Sequence, residues 1–100
     1  MKVGLIGLGR MGEGMSRRMI KAGIEVHGYR NNVKKAEEQY EKGYISGYTT
    51  SLESLVQVVH ANKTTGETPG VFMMVVPAET VEETLNELLQ FCVEGDIIID

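Results

Sequence analysis

Gly7-Leu8-Gly9-Arg10-Met11-Gly12 is the stretch of this chain whose residue types and spacing most plainly suit chemistry. Its glycines fall in the pattern G-x-G-x-x-G, directly after the apolar run Lys2–Ile6 and at the start of a helical period. In that setting each glycine has a task. Gly7 allows a sharp turn, Gly9 keeps a Cβ out of the path of a pyrophosphate, and Gly12 lets a helix pack closely on a strand. The amides of the helix's first turn, at its positive end, then hold phosphate charge. All six residues, Leu8, Arg10 and Met11 included, are the expected phosphate end of a dinucleotide site. The competing explanation is a tight strand–helix turn without a ligand, since a chain with 12 glycines can produce such spacing by accident.

A second candidate follows the second apolar run, at Gly28-Tyr29-Arg30-Asn31-Asn32. A fold that prefers NAD usually carries Asp or Glu here, accepting hydrogen bonds from the ribose hydroxyls. No acid stands in this segment. Arg30 would instead pair with a 2′-phosphate through charge-assisted bonds, which favours NADP while leaving NAD possible. Arg30, Asn31 and Asn32 are therefore expected at the ribose, against the alternative of a solvated loop charge and a helix cap. The third candidate is Val76-Pro77-Ala78, after the fourth apolar run. Ligands of open α/β sheets lie outside the carboxyl ends of the strands, so this loop should wall the crevice. It is apolar and suits packing on a ring or ribose face, or it only ends a strand.

Other reactive residue types carry less. Met11, Met15 and Met19 recur every fourth residue and read as a core stripe. His27 has no acid next to it in sequence and alternates with Val26, so a structural histidine is expected. His60 ends a helix, Cys92 continues an apolar stripe as an inert thiol, and Glu82 and Glu83 begin a helix. No nucleophile–base pair, catalytic lysine or metal-ligating Cys/His cluster stands out. The expectation is cofactor binding with no catalytic residue and no metal.

The elements that must position these residues alternate in type. Strands are expected at Lys2–Ile6, Ile24–Tyr29, Gly43–Thr49, Val71–Val76 and Asp96–Asp100. Helices lie between them, with Gly23 as a left-handed end cap of the first and Asn31 or Asn32 capping the second over Val33–Lys42. The third helix opens at a Thr50/Glu53 capping box and carries Leu52, Leu55, Val56 and Val59. The fourth opens at Thr80/Glu83 and carries Val81, Leu85, Leu88, Leu89 and Cys92. Asn62–Gly70 reads as a loop. Strands alternating with helices need a parallel sheet with helical crossovers, so the fold class is α/β, a Rossmann-like doubly wound sheet.

Composition bounds the rest. One hundred residues, 42% hydrophobic and 24% charged, make one ordinary folded domain. A net charge of −4 argues against a nucleic-acid partner. No apolar run approaches the roughly 18 residues that cross a bilayer, and no signal segment opens the chain. A cytoplasmic protein without membrane partners is expected.

The motifs also resemble a known family. Met1 to Gly12 is similar to the N-terminus of 6-phosphogluconate dehydrogenases, within the β-hydroxyacid dehydrogenase superfamily. Gly28-Tyr29-Arg30-Asn31 resembles that family's strand-two end. Phe72-Met73-Met74-Val75-Val76-Pro77-Ala78 resembles its Met-Val-Pro-Ala-Gly stretch, with Glu79 in place of the glycine. Glu94-Gly95-Asp96-Ile97-Ile98-Ile99-Asp100 resembles the segment that leads to its Gly-Gly-Asn-Ser motif. The likeness spans essentially the whole chain and is nearest to the short, bacterial and phage-like decarboxylating enzymes.

The resemblance implies oxidative decarboxylation of 6-phosphogluconate to ribulose 5-phosphate, a pentose phosphate pathway reaction in which a nicotinamide cofactor takes the hydride. The family's catalytic lysine and glutamate, its Gly-Gly-Asn-Ser residues and its helical substrate domain fall beyond position 100. Residues 1–100 are thus expected to be the cofactor domain of a larger enzyme, incomplete at the C-terminus, inactive alone and part of a homo-oligomer when whole. NAD-preferring members tend to carry Asp where Arg30 stands and NADP-preferring ones Asn-Arg-Thr; Arg30-Asn31-Asn32 matches neither. Two alternatives stay open: a 3-hydroxyisobutyrate-type dehydrogenase, and a non-catalytic module that senses NAD(P).

Overall fold

Val3, Leu5 and Ile6 are all but inaccessible in the first strand, β1 (Lys2–Ile6), because it lies between two neighbours rather than at an edge. The structure, a computed structural model, describes residues 2–7, 9–61, 70–93 and 95–99. Its other strands are β2 (Glu25–Tyr29), β3 (Gly47–Thr49), β4 (Val71–Met74) and β5 (Ile97–Ile99). The helices are α1 (Arg10–Lys21), α2 (Val33–Glu41), α3 (Leu52–His60) and α4 (Val81–Leu89). All strand pairs are parallel, in the order β3-β2-β1-β4-β5.

Alternation along the strands builds two cores. Leu5 and Val26 meet Ala36 and Ile45 on one face, with Met19 and Ile20 of α1 packed alongside. Ile6, Phe72 and Met74 meet Leu52, Leu55, Val56, Val59 and Leu88 on the other. Phe72 is wholly buried, and burying a side chain of this kind contributes about 1.5–3 kcal/mol. Helices thus cover both faces, and the chain changes direction between β3 and β4. That reversal opens a crevice at the carboxyl ends of β1 and β4.

Several local expectations are corrected. The methionine stripe of α1 is core only in part: Met19 packs on the Leu5/Val26 core, but Met11 is 71% exposed, and the fully buried positions are Gly12 and Ser16. Small residues make this contact because the helix approaches the strand end too closely for a long side chain. The third strand is shorter than expected: after α2 the chain turns at Gly43 (φ +78°), whose amide and that of Tyr44 donate to Tyr40 and Gln39. Ser46 then pairs with Val26 both ways, its amide donating at 2.8 Å and its hydroxyl accepting at 2.9 Å.

Ser51, not Thr50, caps α3, accepting from the Ser54 amide at 3.1 Å. Thr80 does not cap α4 with its side chain; its hydroxyl donates to the Pro77 carbonyl at 2.9 Å across a short 3₁₀ turn, Ala78–Thr80. The fourth strand stops at Met74, two residues before Val76. Leu89 is exposed rather than part of the buried stripe. Gly23 does end α1 as expected, with φ +87° and the Gly23 and Ile24 amides donating to Ile20 and Met19. The expected loop at 62–69 lies outside the described residues.

Candidate cofactor site

The three glycines of the first turn separate into two roles. Gly7 has φ +93°, and a Cβ there would stand 2.1 Å from the Val75 carbonyl oxygen. Its amide donates to Tyr29 O at 2.9 Å, and the Val75 amide donates to Ile6 O at 2.8 Å. The turn is thereby wedged between the ends of β2 and β4. A Cβ at Gly12 would meet the Gly7 carbonyl oxygen at 2.2 Å, so α1 rests directly on the turn. Gly9 is different. It starts α1 in extended conformation, the Glu13 amide donates to its carbonyl at 2.8 Å, and a Cβ there would meet nothing within 4 Å. Gly7 and Gly12 are required by the fold; Gly9 faces open space. Leu8 lies outside the described residues.

A cleft of about 620 Å³ opens at this point. Ile6, Gly7 and Gly9 form its floor, Tyr29, Arg30, Asn31 and Asn32 one wall, and Val75, Val76 and Pro77 another. The expected residues from three separate segments therefore converge. Ala78 does not line the cleft; it opens the 3₁₀ turn beyond Pro77. Asn31 accepts from the Tyr29 hydroxyl at 3.2 Å. Asn32 caps α2 by accepting from the Lys35 amide at 3.2 Å, so its side chain serves the helix. A second recess of about 330 Å³ adjoins through Gly9 and Arg30 and is also lined by Arg10, Glu13, Lys35, Glu38, Gln39 and Lys42. Met11, exposed on the first turn of α1, borders neither cavity.

The remaining wall of the main cleft was not anticipated. Thr80, Glu83, Thr84 and Glu87 of the fourth helical segment line it, with Leu52. Their spacing of three, four and seven residues marks one helical face, a signal present in the sequence opposite the Val81/Leu85/Leu88 stripe.

Other titratable groups lie away from the cleft. Glu25 pairs with His27, two residues along the same strand face, so His27 does have an acid partner. The His27 hydrogen bond holds the Glu25 carboxyl below its ordinary value, against a smaller opposing effect of burial. Asp96 and Gly70 precede β5 and β4, at the amino ends of the strands, where Asp96 contacts His60. Cys92 is half-buried, and desolvation, aided by the Asp96 charge, pushes its thiol up to about 11. Among the described residues no group of His, Cys, Asp or Glu could hold a metal ion, and no helix is long and apolar enough to cross a membrane.

Residues 2–100 match the family described as the NAD binding domain of 6-phosphogluconate dehydrogenase. The chain belongs to this family. Its relatives include the decarboxylating 6-phosphogluconate dehydrogenases of Chlamydia trachomatis, 32% identical over 102 residues, and Candida albicans, 32% identical over 99. These alignments take in 98% of the chain but 20% and 18% of the respective enzymes. The chain spans at most 31% of the length of the curated relatives it matches.

Among solved structures, Synechocystis arogenate dehydrogenase superposes with a TM-score of 0.81 at 18% identity, over 98% of the chain and 31% of that protein. Mycobacterium tuberculosis 3-hydroxyisobutyrate dehydrogenase gives 0.76 at 22% identity, over 99% and 30%. At these identities the likeness is one of fold. As a family member the chain carries a site for a nicotinamide dinucleotide, and its relatives are dehydrogenases.

Proposed function

We propose that this chain holds the dinucleotide of a decarboxylating 6-phosphogluconate dehydrogenase and prefers NADP to NAD. The observation that carries the reading is the open Cβ position of Gly9, beside two glycines fixed by the fold, at the sheet's switch point. A turn built only for tightness would have no need of a third glycine facing the cleft. The pyrophosphate crosses Gly9 and accepts from the first-turn amides of Arg10, Met11 and Gly12. Leu8 and Met11 complete the glycine motif in sequence, Met11 through its backbone amide. Arg30 pairs with the 2′-phosphate, with Asn31 and Asn32 beside the ribose. Val76 and Pro77 supply an apolar wall for a ring face, and Ala78 supports them from the turn.

The substrate reading rests on relatives at 31–32% identity that carry the 6-phosphogluconate dehydrogenase name. The 3-hydroxyisobutyrate enzyme, at 22%, supports only the fold. In the whole enzyme the bound nicotinamide would accept a hydride from 6-phosphogluconate. This chain's own residues bind and orient the cofactor. The substrate-binding and proton-transferring groups would come from the rest of a cytoplasmic homo-oligomer.

The experiment is calorimetric titration of the chain with NADP⁺ and NAD⁺, alongside an assay with 6-phosphogluconate. Binding without turnover is expected. Failure of both dinucleotides to bind overturns the reading, and turnover above that of a Gly9→Val control overturns the division of labour.

A further inference from the structure

The recess beside the main cleft is positively charged in a chain whose own net charge is −4. Arg10, Arg30, Lys35 and Lys42 line it against two acids, Glu13 and Glu38. The Glu13 carboxylate is also engaged from within, accepting from the Gln39 amide at 3.5 Å. Gly9 and Arg30 border both cavities. A ligand whose pyrophosphate crosses Gly9 and whose ribose lies at Arg30 therefore turns one ribose edge toward this recess. A hydroxyl on that edge gains little from four cations. A phosphate dianion gains a great deal.

Arg10, the first residue of α1, and Arg30, in the loop after β2, both line the recess. A cation at that end of a helix opposes the macrodipole, so the residue gains nothing for the helix that bears it. Its guanidinium can present paired donors to a phosphate, which an ammonium cannot match.

We infer that Arg10 is a second determinant of cofactor choice, pairing together with Arg30 with a ribose 2′-phosphate at this recess. The inference rests on the dinucleotide reading above and adds a specificity residue within the glycine turn itself. It makes cofactor choice a property of two elements, α1 and the loop after β2. Exchanging the strand-two loop alone would leave part of the discrimination in place.

The test is titration of wild-type, Arg10→Gln and Arg10→Lys chains with NADP⁺ and NAD⁺ at low and high salt, with far-UV circular dichroism as the check on folding. In Arg10→Gln the ratio of NADP to NAD affinity falls at least about fivefold, and the salt dependence of NADP binding becomes shallower. Arg10→Lys recovers part of the ratio. An unchanged ratio overturns the inference, whether both affinities hold or both fall by one factor; the second result puts Arg10 on the shared pyrophosphate. A wild-type chain that binds neither dinucleotide overturns the underlying reading as well, and does so before any Arg10 variant is made.

Discussion

The Nε2 of His60 lies 3.0 Å from Oδ2 of Asp96, joining the last residue of α3 to the residue before β5. The Asp96 side chain is 3% exposed and also accepts from the amides of Gly70, at 2.9 Å, and Val93, at 3.0 Å. One carboxylate therefore ties the starts of β4 and β5 to the end of α3 and to the turn that follows α4. This junction lies at the amino ends of the strands, whereas the cofactor cleft lies at their carboxyl ends. Its role is structural, so its disruption should move stability before it moves binding.

Asp96→Ala is expected to lower stability by about 1–3 kcal/mol, since the part-buried Gly70 amide loses its acceptor, while the more exposed Val93 amide can turn to water. The wild type should show the matching acid dependence. Burial by itself would raise the Asp96 pKa, but the hydrogen bonds from Val93, His60 and Gly70 outweigh it and hold the pKa below its ordinary 3.8. The carboxylate thus contributes stability above that ordinary value, and the contribution is lost as pH falls through the lower, folded-state value. Urea denaturation between pH 2 and 6 should give a steeper acid loss for wild type than for Asp96→Ala. Parallel curves would remove Asp96 from the account of acid stability.

This junction also marks where sequence reading stopped. The parallel α/β fold, the glycine turn and the convergence of residues 7, 9, 30–32, 76 and 77 were legible, because each rests on short-range spacing and on the rule that crevices form at carboxyl strand ends. Asp96 was read as the first residue of a strand, since its three partners are distant in sequence or contribute backbone. Met11 departs from the expected core stripe of α1 for a related reason. Hydrophobic spacing marks apolar residues, but the contact is made by Gly12 and Ser16, whose value lies in their small size. On α4 the position of Glu83 at a helix start explains it without a ligand, and the polar face opposite the Val81/Leu85/Leu88 stripe is visible in the spacing, but nothing local says that a cleft lies against that face.

The separation of glycine roles predicts opposite outcomes for two substitutions. Gly7→Ala forces a Cβ onto the Val75 carbonyl at a positive φ, and should cost on the order of 3 kcal/mol or more. Gly9→Val meets open space, so its melting temperature should stay near that of wild type while dinucleotide binding disappears. Thermal melts and calorimetric titration measure the two directly. A folded Gly9→Val chain that still binds would make the turn purely structural.

Cys92 should be unreactive in the folded chain. With its thiol pushed up to about 11, it holds far less thiolate at pH 8 than an ordinary cysteine of pKa about 8.5. Its reaction with a disulfide reagent should run about two orders of magnitude slower in buffer than in denaturant, and quicken as pH rises from 8 to 10. Equal rates in the two conditions would mean that the thiol is neither desolvated nor influenced by Asp96.

Arg30 offers the most direct test of cofactor preference. It borders both the main cleft and the cationic recess, where the ribose of a dinucleotide crossing Gly9 should lie. On the proposed reading, Arg30→Asp removes a charge-assisted bond to a 2′-phosphate, about 1.5–3 kcal/mol, and puts a repelling carboxylate in its place. The same carboxylate can accept from both free hydroxyls of NAD. Both changes act in one direction, so the NADP/NAD affinity ratio should fall at least tenfold, the factor that corresponds to about 1.4 kcal/mol. Added salt should weaken the preference of the wild type, because the site lies at a surface where ion pairs are screened. The variant should show little salt dependence for NAD, whose ribose carries no charge. A ratio unchanged within twofold would return Arg30 to the status of a loop charge and leave the ribose end to Asn31 or to the recess beyond it.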